Sequence, residues 1–206
     1  MTNSYKIIVK NETGGKQNYH FFSAEPVVSG GAYGSLWSNV MKAANNTPNA
    51  GTASFQVSAN YFAICGSFDN SPASGGSITI SKTVPVTLGA KNGSNISMGS
   101  TVVLVVNAKS AGDFNPPTTP DNLLVGIASA KDSSIQTAMG TFTPFPNVKY
   151  QVQPQAVYYV AAGEAFDVGA LVKVEMMAST MAVDFNLRGS NTVTLVHGPD
   201  MLFTFE

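Results

Sequence analysis

The sequence predicts an all-β fold, an antiparallel β-sandwich or barrel-like arrangement in a single domain over residues 1–206, and three observations carry that expectation. The chain breaks into roughly twelve to fourteen short runs rich in β-branched and aromatic residues, separated by clusters of Gly, Pro, Asn, Asp and Ser. That spacing indicates a sandwich or barrel rather than βαβ units. One stretch occurs twice, as Phe55–Gly66 (FQVSANYFAICG) and Tyr150–Gly163 (YQVQPQAVYYVAAG). Each copy reads aromatic-Gln-Val, a polar spacer, Tyr-aromatic and small residues ending in Gly, and each is followed by Phe-Asp, at Phe68-Asp69 and Phe166-Asp167. The chain is also 44% hydrophobic and 10% aromatic. A chain of this length and composition can bury on the order of 70% of its unfolded surface without staples.

Taken in order, Tyr5–Lys10 (YKIIVK) is a β-rich run, NETGGK is a turn, and Asn18–Ser23 (NYHFFS) is the return strand. Glu25–Ser35 is a Pro/Gly loop. Leu36–Ala44 (LWSNVMKAA) fits neither period cleanly, and strand or irregular structure is preferred over a helical turn. Ala53–Val57 and Tyr61–Phe68 are strands, followed by Ser77–Lys82 and by Val84–Leu88, an edge piece because of Pro85. Thr101–Asn107 (TVVLVVN) is the most apolar strand and is expected to be buried on both faces. Gly89–Ser100 and Ala111–Asp121 read as loops, Leu123–Ala128 as a strand, and Lys131–Gly140 as a second place for a short helix. The pairs Val148–Val152 with Val157–Ala161, then Leu171–Met177, Met181–Phe185, Val193–His197 and Met201–Phe205, complete the chain.

The repetition extends beyond the opening stretch. An offset of about 95 residues sets Tyr5–Asn11 against Thr101–Asn107, Gly76–Ile80 against Gly169–Lys173, and Val84–Leu88 against Met181–Phe185. An internal duplication with halves 5–100 and 101–206 is one reading; the general likeness of β stretches is the other.

Charge narrows the function classes. Charged residues are 11% of the chain and net charge is −1. There is no basic patch to collect phosphates, which argues against nucleic acid as a partner. Near-zero net charge leaves little repulsion against protein–protein contact. The longest wholly apolar run, Val102–Val106, is too short for a membrane span. The N-terminus lacks a basic region followed by an apolar one, so a cytoplasmic location is expected, with non-classical secretion or a removed leader left open. Asn11, Asn45, Asn92 and Asn95 head N-x-S/T sequons, a number an Asn-rich chain reaches by chance.

Gln17-Asn18-Tyr19, Trp37-Ser38-Asn39-Val40, Tyr61–Gly66 and Pro85-Val86-Thr87-Leu88-Gly89 together resemble a family of small β-rich fungal proteins with no assigned activity. The resemblance implies a folded β module and transfers no catalytic residue.

No constellation for catalysis stands out. His20 and His197 sit on separate strands, without the close spacing of metal ligands. Cys65 lies in an apolar strand and reads as a buried thiol. Asp69 and Asp167 read as turn caps rather than a glycosidase pair. Neither an enzyme, a metal nor a cofactor is expected. Candidate ligand-binding residues are the aromatics Tyr33, Trp37, Tyr158 and Tyr159, whose rings among Asn, Gln and Ser would suit stacking on a sugar; core packing is the competing role. The expected function is a non-enzymatic structural or interaction protein that self-associates as a homo-oligomer or ordered assembly. The alternative is a lectin-like module with carbohydrate as partner.

Overall fold

Strict alternation makes the first strand. β1 (Ser4–Asn11) buries Tyr5, Ile7, Val9 and Asn11 and turns Lys6, Ile8 and Lys10 toward the surface, the period-two pattern of a half-buried strand. The computed structural model describes residues 4–29, 33–58, 60–69, 73–86, 102–105, 123–130, 136–145 and 149–206. Strands follow in order as β2 (Gln17–Ser23), β3 (Val27–Ser29), β4 (Tyr33–Thr47), β5 (Thr52–Ser58), β6 (Asn60–Phe68), β7 (Ile78–Val86) and β8 (Val102–Val105). The rest are β9 (Leu123–Ala130), β10 (Gln136–Thr143), β11 (Lys149–Gln153), β12 (Val157–Ala162), β13 (Leu171–Val172), β14 (Ser179–Asp184), β15 (Thr192–His197) and β16 (Phe203–Phe205). A short 3-10 turn, Val174–Met176, interrupts them.

The strands form an all-β sandwich. One sheet has the order β16-β15-β1-β5, a second the order β14-β12-β2-β4-β10-β9-β6-β7 with β13 also on β4, and a third the order β3-β11-β8. All these pairs are antiparallel except β1 with β15. The main core lies where the sheets face each other. Ile7, Val9, Phe55 and Leu195 of the first sheet meet Tyr19, Phe21, Ile127 and Tyr158 of the second, with Tyr150 and Val152 of the third. Phe21 stacks on Phe55 at 5.6 Å and on Tyr158 at 5.2 Å.

Asn11 locks the first turn. Its Nδ2 donates to the carbonyls of Gly15 (2.8 Å), Thr47 (2.9 Å) and Pro48 (3.0 Å), and its Oδ1 accepts from the backbone N–H and Oγ1 of Thr13. The first sequon is thus consumed inside the fold.

The second sheet runs outward from the β4–β10 pair in matching order: β2 and β9, then β12 and β6, then β14 and β7. The registers match as well. Phe22 faces Tyr159, and Ala128 faces Phe62. Val183 faces Tyr158, and Val86 faces Tyr61. A bulge sets Met41 out of register with β2, and another sets Met139 out of register with β9; both side chains are buried. Outside this sheet β1 pairs β5, and β8 pairs β11. The outer hairpins are exchanged: β6–β7 of the first part lies beside β9, and β12–β14 of the second part lies beside β2.

The structure corrects two expectations. Residues 136–140, the described part of the suspected helix, belong to strand β10, whose backbone pairs with β4 and β9 on its two sides. Cys65 is exposed, not buried. Tyr61 and Ala63 on the same side of β6 pack into or against the core. The register with β7 shifts between Cys65 and Gly66, skipping Ser81, before pairing resumes at Gly66 and Ile80, with the local kink and twist of a bulge, and Cys65 lies past the core on that side. Leu36–Ala44, ambiguous in sequence, is all strand within β4. The loops expected over Gly89–Ser100 and Ala111–Asp121, and the burial expected for Thr101–Asn107, lie outside the described residues and side chains.

Candidate functional site

The four candidate aromatics do not converge. Tyr33 begins β4 and its side chain lies outside the described residues. Trp37 is buried with Phe68, Leu124 and Leu171, and the Lys173 ammonium stands 5.1 Å from its ring centroid. Lys173 also reaches Glu25 at 3.7 Å. Tyr158 is in the main core, tilted against Tyr5 at 6.1 Å and edge-on to Phe185 at 6.0 Å. Adjacent residues of a strand face opposite ways, so Tyr159 points to the outer face, half-buried and stacked on Phe22 at 5.5 Å.

Tyr61 and Tyr158, the matching residues of the repeated stretch, share a hydrogen bond in the core. Burial raises the pKa of both; Tyr5 raises both further, and their shared hydrogen bond raises Tyr158 and lowers Tyr61. Tyr61 and Tyr158 are thus structural, each buried and bonded to the other.

The outer face beside Tyr159 holds a recess. Residues 162–178 cross over β2 and β12 and leave a cavity of about 310 Å³ lined by His20, Ala162, Gly163, Glu164, Phe166 and Met177, with Ala178. His20 Nε2 accepts the Phe166 N–H at 3.0 Å, and the two rings meet edge-on at 5.4 Å. Accepting at Nε2 leaves the proton of a neutral imidazole on Nδ1. Burial lowers the His20 pKa, which favours that neutral form. The corresponding place on β9 is held by Gly126, whose neighbour across the bulged pair is too close for any side chain: an added Cβ would stand 2.1 Å from the Gly140 carbonyl oxygen. The chemistry of the recess amounts to one neutral imidazole and one exposed carboxylate among apolar walls.

His197 is separate from His20. Its Nδ1 lies 3.0 Å from the Tyr19 hydroxyl, its ring stacks on Phe203 at 4.3 Å, and among the described residues no group meets its buried Nε2 in full hydrogen-bond geometry. Burial lowers its pKa, opposed by the Met201 backbone and by Asp200. Asp69 Oδ1 accepts from Thr79 Oγ1 at 3.0 Å, tying the two ends of the β6–β7 connection. Among the described residues no group of three or more His, Cys, Asp or Glu could hold a metal ion, and no helix is long and apolar enough to cross a membrane.

The His20 recess was not legible in the sequence, because its wall comes from residues more than a hundred positions away and nothing near His20 marks it. Comparison with protein-family models, curated proteins and solved structures finds no match for the chain.

Proposed function

We propose that this chain is a non-enzymatic structural or interaction protein that self-associates, built by internal duplication of a half-length β unit. The observation that carries the reading is the matched order and register of the second sheet, with reciprocally exchanged hairpins. That is the arrangement a two-fold dimer of one unit would have if its two copies were joined in a single chain. A fold whose ancestor assembled through strand edges keeps several such edges. The low charge and the net charge of −1 leave little repulsion between copies.

Carbohydrate binding through the aromatics finds less support. Trp37 and Tyr158 present no open face, and Tyr159 spends one face on Phe22.

Light scattering or sedimentation over a wide range of concentration and salt tests the proposal. The expected result is a mass that rises above one chain with concentration and changes little with salt. A strictly monomeric species at the highest concentration would overturn it.

A further inference from the structure

β5 pairs with β1 on one side, and among the described residues no strand pairs on its other side. β11 holds the corresponding place in the second part of the chain and is paired on both sides, with β8 as β5 is with β1, and beyond it with β3. β3 lies between β2 and β4 in sequence and pairs with β11 rather than with either of them. Ala130 and Gln136, at the ends of β9 and β10, pair directly with each other. Among the described residues a strand is therefore added beyond β11 and none beyond β5.

The backbone of that edge points outward. Lys6 N–H donates to Asn191 on the β15 side, and Asn11 N–H donates to Gly51 on the β5 side. Odd residues of β1 therefore bond toward β5, and Ala53, Phe55 and Val57 answer them. Thr52, Ser54, Gln56 and Ser58 direct their N–H and C=O groups away from β1. An open cleft of about 350 Å³ is lined by Ser54 and Phe55 of β5, by Met41–Ala44 of β4, and by Thr137 and Val168, with no residue of β1. It therefore lies on the unpaired side. β5 carries no charge, proline or bulge, the devices that blunt an edge, whereas the edge strand β7 carries Lys82, Pro85 and a bulge.

We propose that β5 is the self-association edge, pairing antiparallel with β5 of a second copy about a two-fold axis at Phe55. This rests on the self-association proposed above and names its interface. The occupant follows from the strand's own pattern. Thr-Ala-Ser-Phe-Gln-Val-Ser alternates polar and apolar residues and reads the same in both directions from Phe55. Two copies set Ser54 against Gln56, Ala53 against Val57 and Thr52 against Ser58. The outward backbone groups of Ser54 and Gln56 then exchange hydrogen bonds, and the two Phe55 residues form the close, non-hydrogen-bonded pair at the axis. No like charges meet, and the two four-stranded sheets become one.

Three variants of the full chain, measured by sedimentation velocity beside the wild type, test this. S54E/Q56E sets introduced carboxylates opposite each other twice across the axis and is expected to weaken association roughly tenfold or more. S54K/Q56E sets ammonium against carboxylate at the same places and is expected to restore association in a salt-sensitive way. In both, position 56 lies opposite Lys6 of the same chain, so the carboxylate there supports each fold equally. Gln56→Pro removes one outward N–H, leaves the ladder to β1 intact, and is expected to weaken association without charge. If all three variants associate as the wild type does, the interface is elsewhere and this proposal falls while self-association stands. A wild type that stays monomeric sinks both.

Discussion

Asn11 carries more of the first turn than any apolar residue near it. Its amide is fully buried and holds the Thr47 and Pro48 carbonyls on the far side of β4 as well as Gly15 on its own. Asn11→Ala leaves those acceptors without a donor and is expected to cost roughly 2–3 kcal/mol, read as a lower urea midpoint at unchanged m-value. Trp37 offers the matching test of a residue whose role was open in the sequence. Its packing against Phe68, Leu124 and Leu171 predicts that Trp37→Ala costs about 3–5 kcal/mol. A variant that kept full stability would return the ring to the candidate ligand-binding groups. Neither role could be read from local sequence. Asn11 looks like any sequon until the turn at Thr47 is brought beside it, and Trp37 sits where the apolar period is ambiguous because β4 pairs one neighbour along its first half and another along its second. The exposure of Cys65 escapes local sequence for a related reason: alternation predicts which side of a strand a residue faces, but not where the core on that side ends.

At the scale of the element, the bulged strands decide the shape of the large sheet. β4 and β10 each carry a methionine out of register, Met41 and Met139, and the bends they introduce fit the accumulated twist of a sheet this wide. Gly126 on β9 faces the bulged strand, and the approach there leaves no room for a side chain. Gly126→Ala is expected to cost at or above roughly 3 kcal/mol, the upper end of ordinary overpacking, because the clash is with backbone. Gly15→Ala, at an open turn with nothing within 4 Å, is the control and is expected to change stability little. Equal thermal midpoints for the two variants would refute the close packing of β9 on β10. Strand positions were largely legible because alternation is local. The register of β6 with β7 sets Tyr61 opposite Val86, and that of β12 with β14 sets Tyr158 opposite Val183. The exchange of hairpins was not legible, since pairing partners are set by surfaces far apart in sequence.

For the molecule as a whole, the buried ionisable groups define a pH window. Both histidines of the chain have lowered pKa values, from burial first in each case. His20 faces the Phe166 N–H and ring, with Glu164 at the rim of its recess. His197 faces Tyr19, Phe203, Asp200 and the Met201 backbone. The unfolded chain takes up protons near the ordinary value of 6.5 while the folded chain resists, so stability is full above that value and falls as pH drops below it. The tyrosines set the other limb. Burial raises Tyr5, Tyr61 and Tyr158 and pushes Tyr19 up to about 12, against an ordinary value of 10.0. Their contribution is full below pH 10 and is lost as pH climbs toward 12. The expected profile of urea midpoint against pH is a plateau between these limits with a falling limb on each side. Because the exchanged hairpins tie each part of the chain to the other, both limbs are expected as single transitions, with Trp37 fluorescence and far-ultraviolet dichroism coincident. His197→Phe keeps an aromatic stack on Phe203 and removes the titrating ring, so the acid limb should become shallower while the alkaline limb stays. An acid limb of unchanged slope in that variant would mean that His197 is not held neutral by its burial.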